Sequence, residues 1–480
     1  MGANEIELKF LCEPQDVTAL LAAAPLGVAE TKHFTAVYFD TPDGHLKAAH
    51  ISLRLRESNG KRIQTLKRGD GFAREEHEAK VAGDTLNLSM PAVKAALKPA
   101  QRKALEPVFT VRVTRQQRTF AYAGAQVELA LDQGDITTGD RRRTLCELEL
   151  ELKAGDPAAL FALARQLSVT APLYLSFDGK ASQGQALRAG TEREPRRHDK
   201  APLRRGGTAG EAFQTIARNA LVQIAANGLV LREAECEDAL HQLRVAVRRL
   251  RSALSTFKAV VDDPRVPELQ AELKWLSRAC DEARDLDVFA QDNLEIAGDR
   301  TPLGPKIAAA RAQAHAKTAA AVASKRFRDL VLETTAWVET GAWRGGERGR
   351  RSARDFAAKA LERRWKQLSK LGHDLRAVDD AGRHTARIAA KKLRYAAEAF
   401  APLFAAEPGR RYIRKLKALQ DTLGDLNDAA VAKSLVARLA TEDSDAARDL
   451  ISARDAKRPK ALKAAVRQMK ALTEAKPFWR

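Results

Sequence analysis

The period of the side-chain pattern changes part-way along this chain, and the change limits what it can fold into. Up to about residue 185, short runs alternate in type at every second position. They are separated by turn formers such as Thr41-Pro42-Asp43-Gly44 and Asn59-Gly60, the pattern of strands joined by tight turns. Such runs are Glu5 to Lys9, Ile51 to Glu57, Arg62 to Lys67, Phe72 to Lys80, Gln126 to Asp132 and Leu145 to Lys153. Helices are predicted at Pro14 to Ala24, Pro91 to Leu97, Ala100 to Leu105 and Ala158 to Leu167. From Ala209 onward apolar residues recur at threes and fours, and Gly and Pro cluster only at breaks such as Gly298 to Pro305, which predicts an all-helical region. Between them, Thr191 to Thr208 is rich in Arg and Pro and poor in apolar residues, as linkers are. The expected architecture is α+β: a strand-rich domain over 1–190, a basic linker over 191–208 and a helical domain over 209–480.

Residues two apart on a strand share a face. Glu5, Glu7 and Lys9 therefore project together, as do Glu147, Glu149, Glu151 and Lys153 on a later strand. Glu128 and Asp132 form a third group; Arg74, Glu76, Glu78 and Lys80 a fourth; Arg54 and Arg56 a basic pair. The intervening Ile6, Leu8, Leu53, Leu55, Leu148 and Leu150 make the opposite face apolar. Alternating charged strands ordinarily mark the solvated face of a half-exposed sheet. Here, however, carboxylates gather on some strands and cations on others, where solubility alone would favour mixing. A sheet curled with this face inward makes a small barrel with a charged lumen. Unpaired charge is costly to bury, so such a lumen must hold something that balances both signs. Mg²⁺ or Mn²⁺ suits the carboxylates, and a polyphosphate suits the Arg and Lys residues.

The helical half carries an internal repeat. His241-x-x-Arg244-x-x-x-Arg248-Arg249-x-Arg251 returns 143 positions later as His384-x-x-Arg387-x-x-x-Lys391-Lys392-x-Arg394. Asp281-x-x-x-Asp285-Leu286-Asp287 is answered 140 positions later by Asp421-x-x-x-Asp425-Leu426-Asn427. Two related helical halves are the simplest explanation. On a helix, His241, Arg244, Arg248 and Arg251 form one stripe beside an apolar stripe of Leu240, Leu243, Val247, Leu250 and Leu254. The acidic residues of the second motif could serve as salt-bridge partners for a solvated face. Like charges at these spacings otherwise repel unless an anion lies over them.

Of the formal charge of +20, residues 209–480 carry +15, enough to recruit nucleic acid, anionic membrane or polyphosphate. Few aromatics interleave the basic stripes and no base-reading motif is present, which disfavours nucleic acid. No run approaches the ~20 apolar residues of a membrane span, and Glu5, Glu7 and Lys9 stand where a signal peptide would be apolar. The expected location is the cytoplasm. Cys12, Cys146, Cys236 and Cys280 are far apart with no C-x-x-C spacing, so free thiols are expected, without a zinc site or disulfide framework.

The ordered set Glu5-x-Glu7-x-Lys9, Tyr38-Phe39-Asp40-Thr41, Leu53-Arg54-Leu55-Arg56, Thr65-Leu66-Lys67, Arg74-x-Glu76, Glu128-x-x-x-Asp132 and Cys146-Glu147-Leu148-Glu149-Leu150-Glu151 resembles the CYTH domain, the triphosphate tunnel metalloenzymes, over about residues 1–185. The resemblance implies an eight-stranded antiparallel β-barrel tunnel that hydrolyses a triphosphate with a divalent metal. It implies metal-side carboxylates at Glu5, Glu7, Asp132, Glu147 and Glu149, with Glu76, Glu78 and Glu128 as second choices. Phosphate ligands are implied at Lys9, Arg54, Arg56, Lys67, Arg74, Arg115 and Lys180, with Arg118 in reserve; the catalytic set is Glu5, Glu7, Lys9, Glu147 and Glu149. Where the family often has Ser-Lys-x-Glu-Arg-Gly, this chain has Gly179-Lys180-Ala181-Ser182-Gln183-Gly184, keeping the Lys and losing the Arg.

His241 to Arg251, Arg284-Asp285-Leu286-Asp287, His384 to Tyr395 and Leu419 to Asp428 resemble the CHAD domain over about 209–470. This implies two pseudo-symmetric helical bundles whose basic groove binds inorganic polyphosphate through His241, Arg244, Arg248, Arg249, Arg251, His384, Arg387, Lys391, Lys392 and Arg394. The pairing is that of bacterial CYTH-CHAD inorganic triphosphatases, and association with polyphosphate granules is compatible with it. A polyphosphate-binding protein with a non-catalytic tunnel is the alternative. Triphosphate, thiamine triphosphate, nucleotides and polyphosphate all stay open as substrates.

Overall fold

A computed structural model of the chain describes residues 3–69, 73–198, 203–297, 304–439 and 445–480. It divides into two compact units, Met1–Glu194 with Val331–Thr340, and Pro195–Leu330 with Gly341–Arg480. Among the described residues, no helix is long and apolar enough to cross a membrane.

The first unit is built on one antiparallel sheet. Its strands are β1 (Ala3–Leu11), β2 (Val28–Asp40), β3 (Ile51–Ser58), β4 (Lys61–Arg68), β5 (Ala73–Lys80), β6 (Glu106–Tyr122), β7 (Ala125–Thr138), β8 (Arg141–Ala154) and β9 (Tyr174–Ser176). They run in the order β5-β4-β3-β2-β6-β7-β8-β1-β9. Asn59 and Gly60 both have positive φ, +50° and +71°, the geometry of the two-residue turn that joins β3 to β4 with the twist strands require.

The sheet has nine strands rather than the eight expected. One edge of β1 pairs with β8; the other is shared, Ala3 to Ile6 pairing with β5 and Lys9 to Leu11 with β9. β5 covers only the start of that edge, and β9 pairs with its far end. The apolar face packs under helices. Leu53 and Leu66 join Leu46, Met90, Val93 and Leu97 in one core, and Val111, Ile136 and Leu145 join Leu187 of the helix Lys180–Ala189 in another. Gly184 lets that helix lie close: a Cβ there would stand 2.2 Å from the Phe109 ring. Gly184→Ala is expected to cost about 1–3 kcal/mol of stability, read by urea denaturation.

The second unit is helical. Its first half contains Ala209–Glu233, Glu237–Thr256, Val266–Ala279 with Asp281–Ala297, and Gly304–Ala323; its second contains Ala353–Leu371, Asp380–Phe400, Ala406–Leu439 and Asp445–Thr473. Thr208 and Ser352 cap the first helix of each half, accepting from Glu211 and Asp355 backbone N–H groups. The two capping segments also bond reciprocally, Ala209 N to Arg351 O at 2.8 Å and Ala353 N to Gly207 O at 2.9 Å. The core repeats the relation: Phe213 and Phe356, like Phe257 and Phe400, are 143 residues apart. Phe257 touches the other three rings, stacking on Phe356 at 4.6 Å. Phe257 is 1% exposed, so Phe257→Ala is expected to cost about 3–5 kcal/mol, measured as a lower denaturation midpoint of the helical signal.

Candidate functional site

The charged face of the sheet lines a cavity of about 600 Å³. Strand parity selects its walls: Glu7 and Lys9 of β1, Arg54 and Arg56 of β3, Lys67 of β4, Arg115 of β6 and Glu149 of β8 all enter it, with Lys180 at the start of its helix. Among the described residues, nine Lys or Arg and seven Glu side chains line it. The Phe34 ring forms part of the wall, with the guanidinium carbons of Arg115 and Arg56 at 5.5 and 5.8 Å from its centre.

At one side the charges interlock. Lys9 bonds to Glu149 and stands 3.8 Å from Glu147 and 4.0 Å from Glu7. Arg115 grips Asp132 with two bonds of 2.7 Å and reaches Glu149 at 2.5 Å. Lys180 Nζ lies 2.7 Å from Asp132, 2.8 Å from Glu147 and 2.8 Å from Glu149, at the centre of three carboxylates. Gln183 donates to Glu147. Burial pushes the Glu149 carboxyl upward, but Lys180, Lys9 and Arg115 outweigh it and hold it well below the usual range. Burial likewise opposes charge on Lys9, while Glu149 and Glu7 raise it above its ordinary value. Both are ionised at neutral pH.

In the helical unit the two repeated stripes meet. Arg248 donates to the Tyr395 hydroxyl at 3.2 Å, and Arg249 and Arg394 pair with Glu398 at 3.1 and 3.2 Å. Burial, then Arg387, Arg248, Arg244 and Arg394, push the Lys391 ammonium down to about 7. Burial, then Arg284 and Arg248, push the His241 imidazole down to about 4, so it is neutral at pH 7. The halves differ at one point. The helix breaks at Cys280 in the first half, and Arg244 caps the break, donating to the Cys280 and Asp281 carbonyls at 3.1 Å and pairing with the Asp281 carboxylate at 3.0 Å. The corresponding helix Ala406–Leu439 is continuous; among the described residues, Arg387 Nε is buried without a hydrogen-bond partner, as is Arg244 Nε.

The CYTH domain family matches residues 3–184, and the CHAD domain family matches residues 215–437. The crystal structure of the CHAD domain from Ricinus communis is 34% identical, covers 58% of this chain and 96% of that one, and has a TM-score of 0.51. The chain belongs to the CHAD family, and its residues 3–184 match the CYTH domain. An inorganic triphosphatase from Haemophilus influenzae is 27% identical over 193 residues, 38% of this chain; the match spans 55% of that protein's length. A Hippeastrum protein with a dominant triphosphatase activity is 18% identical, covering 38% of this chain and 95% of that one, with a TM-score of 0.31.

Within the CYTH domain, Glu7, Lys9, Arg54, Arg56, Lys67, Arg115, Glu149 and Lys180 reach the cavity, as do Glu76, Glu78 and Glu128. The backbones of Glu5 and Arg74 pair across β1 and β5, but their side chains lie outside the described residues. Asp132 and Glu147 are fully buried behind the wall and already bonded to Lys180. Arg118 turns away and donates to the Leu21 carbonyl. The Tyr38-Phe39-Asp40-Thr41 motif is divided in its work: Tyr38 lines the cavity, while buried Asp40 accepts from the Thr41, Leu46 and Lys47 backbones and holds a turn. Lys32, Lys61, Glu151 and Lys153 also line the cavity. Glu151 and Lys153 lie on the charged face that the β8 alternation already assigns them with Glu147 and Glu149, whereas Gln183 had no signal beyond its departure from the family's Arg.

Oxygen atoms of Asp132, Glu147 and Glu149 come within 4.8 Å of one another, a donor set that fits a hard divalent cation. Lys180 stands at its centre, so the carboxylates that open to the cavity, Glu7 and Glu149, are better placed to share a cation with a phosphate chain.

In the CHAD domain, Arg244, Arg248, Arg249, Arg251, Arg387, Lys391 and Arg394 are half-buried, as is His241, while His384 and Lys392 are exposed. Asn427 carries no described side chain.

Proposed function

We propose that this chain hydrolyses inorganic triphosphate, or a related triphosphate, in a β-tunnel spanning 1–190, and that its helical domain over 209–480 binds polyphosphate as two pseudo-symmetric bundles. The observation that carries the reading is the cavity wall of both signs. Its described side chains sum to about +2, against about four to five negative charges on a triphosphate, a difference that one divalent ion largely closes. Pairing of β1 with β5 and the reciprocal bonds between the Thr208 and Ser352 segments support the tunnel and the bundles.

Lys9, Arg54, Arg56, Lys67 and Arg115 grip phosphate oxygens. Arg54 Nε is buried without an acceptor in the protein, a donor left for a ligand. Lys180 bonds to Glu147 and Glu149, and Gln183 donates to Glu147, so both carboxylates are held in orientation. Glu7 and Glu149 would hold Mg²⁺ or Mn²⁺, which when bound would supply charge neutralisation and activation of water. Catalysis of this kind is mainly alignment and charge stabilisation. Purified protein with Mg²⁺ or Mn²⁺ is expected to release phosphate from at least one member of a panel of triphosphate, ATP, thiamine triphosphate and polyphosphates; no turnover of any sinks the enzyme reading. Lys180 at the centre of the acidic trio favours the second reading, a tunnel that only holds anions, and metal-independent binding without turnover would establish it.

For the helical domain, reversing charge at Arg387 and Lys391 is expected to weaken long-chain polyphosphate binding and lower its salt dependence. Lys391 also sets a pH response. With a value near 7, it gains its charge as pH falls, so polyphosphate affinity is expected to rise from pH 8 to pH 6, and Lys391→Gln to flatten that slope. Titration at fixed salt checks both.

A further inference from the structure

Cys12 and Cys146 lie 134 positions apart in sequence, yet their sulfurs are 3.5 Å apart. The β1–β8 register explains why. Leu11 pairs with Glu147, so the next positions, Cys12 and Cys146, face each other, and Cys12 N donates to the Cys146 carbonyl. Both sit on the apolar side of the sheet with Leu8, Phe10, Leu148 and Leu150, opposite the cavity. Directly opposed residues of antiparallel strands have Cα atoms about 4.5–5.5 Å apart, within the span a disulfide bridges, and bonding requires the sulfurs to close to about 2.05 Å.

We propose that Cys12 and Cys146 form a reversible intramolecular disulfide when exposed to a small-molecule disulfide such as oxidised glutathione, stapling the end of β1 to β8. Cys146 is the more exposed of the two. Cys146 is thus the attacking thiolate. Its sulfur displaces one glutathione thiolate to give a mixed disulfide; Cys12, losing its proton, then displaces the second. Two protein thiols are oxidised, one glutathione disulfide is reduced to two glutathiones, and the two protons pass to the departing thiolates. The staple lies behind Glu147, the residue after Cys146, and does not depend on what the cavity does.

The test treats the full chain with oxidised glutathione, alkylates it and maps the digest by mass spectrometry without reduction. Two of the four thiols should disappear, with a linked Cys12 and Cys146 peptide pair that dithiothreitol releases. The thermal midpoint of the oxidised chain should rise by about 5–10 °C, because the closed loop is long. Cys12→Ala and Cys146→Ala should each abolish the link and the shift. Retention of all four thiols, a glutathione adduct that stays on Cys146, or a linked chain with an unchanged midpoint overturns the proposal.

Discussion

Replacing Glu7 and Glu149 together by Gln is expected to lower triphosphate turnover by at least about a hundredfold while leaving polyphosphate binding unchanged. Both side chains open to the cavity and converge on Lys9. Gln keeps their shape and removes the negative charge that suits a divalent cation, so substrate capture by the surrounding cations should persist while charge stabilisation is lost. Phosphate release measured against metal concentration reads the first effect, and polyphosphate titration reads the second. Parallel loss of both would refute a division of labour between the two domains.

Lys180→Met should cost about 3–5 kcal/mol of stability, because it leaves Asp132 and Glu147 buried with less compensation. The sign of the pH dependence follows from the carboxylates. Asp132 and Glu149 have folded values below their unfolded ones, so their contribution is fully present above the usual carboxylate range and is lost as pH falls through the folded values. Removing Lys180 weakens that depression. The variant should therefore lose less stability on acidification than the parent, and the gap between them should narrow toward low pH. Urea denaturation across pH 3 to 7 measures it, and a constant gap would place the role of Lys180 in packing instead.

Much of this molecule is legible in its residues. The alternation in Glu147-Leu148-Glu149-Leu150-Glu151 names the face each side chain takes, and the structure places Glu149 and Glu151 on the cavity wall accordingly. Asn59-Gly60 marks a hairpin that forms as written. β2 and β6 are harder to see, because β2 passes from an exposed stretch into an alternately buried one and β6 passes from a mostly buried stretch into a half-exposed one. The basic stripes are legible as stripes, but not their unequal duties. Arg244 and Arg387 occupy the same place in the repeat, and only the helix break at Cys280 engages the first with backbone carbonyls.

By itself the sequence determined periodicity and sign: which half is sheet and which helix, which side of each strand is charged, and that the helical motif occurs twice. These are local properties, set by how successive side chains leave the backbone. Tertiary structure alone decided depth and company. Parity puts Glu147 and Glu149 on one face, yet the register with β1 and the close seat of the Lys180 helix bury the first and open the second. The same register sets Cys12 against Cys146. Pairings across more than a hundred residues depend on strand registers and packing distances that no local pattern encodes.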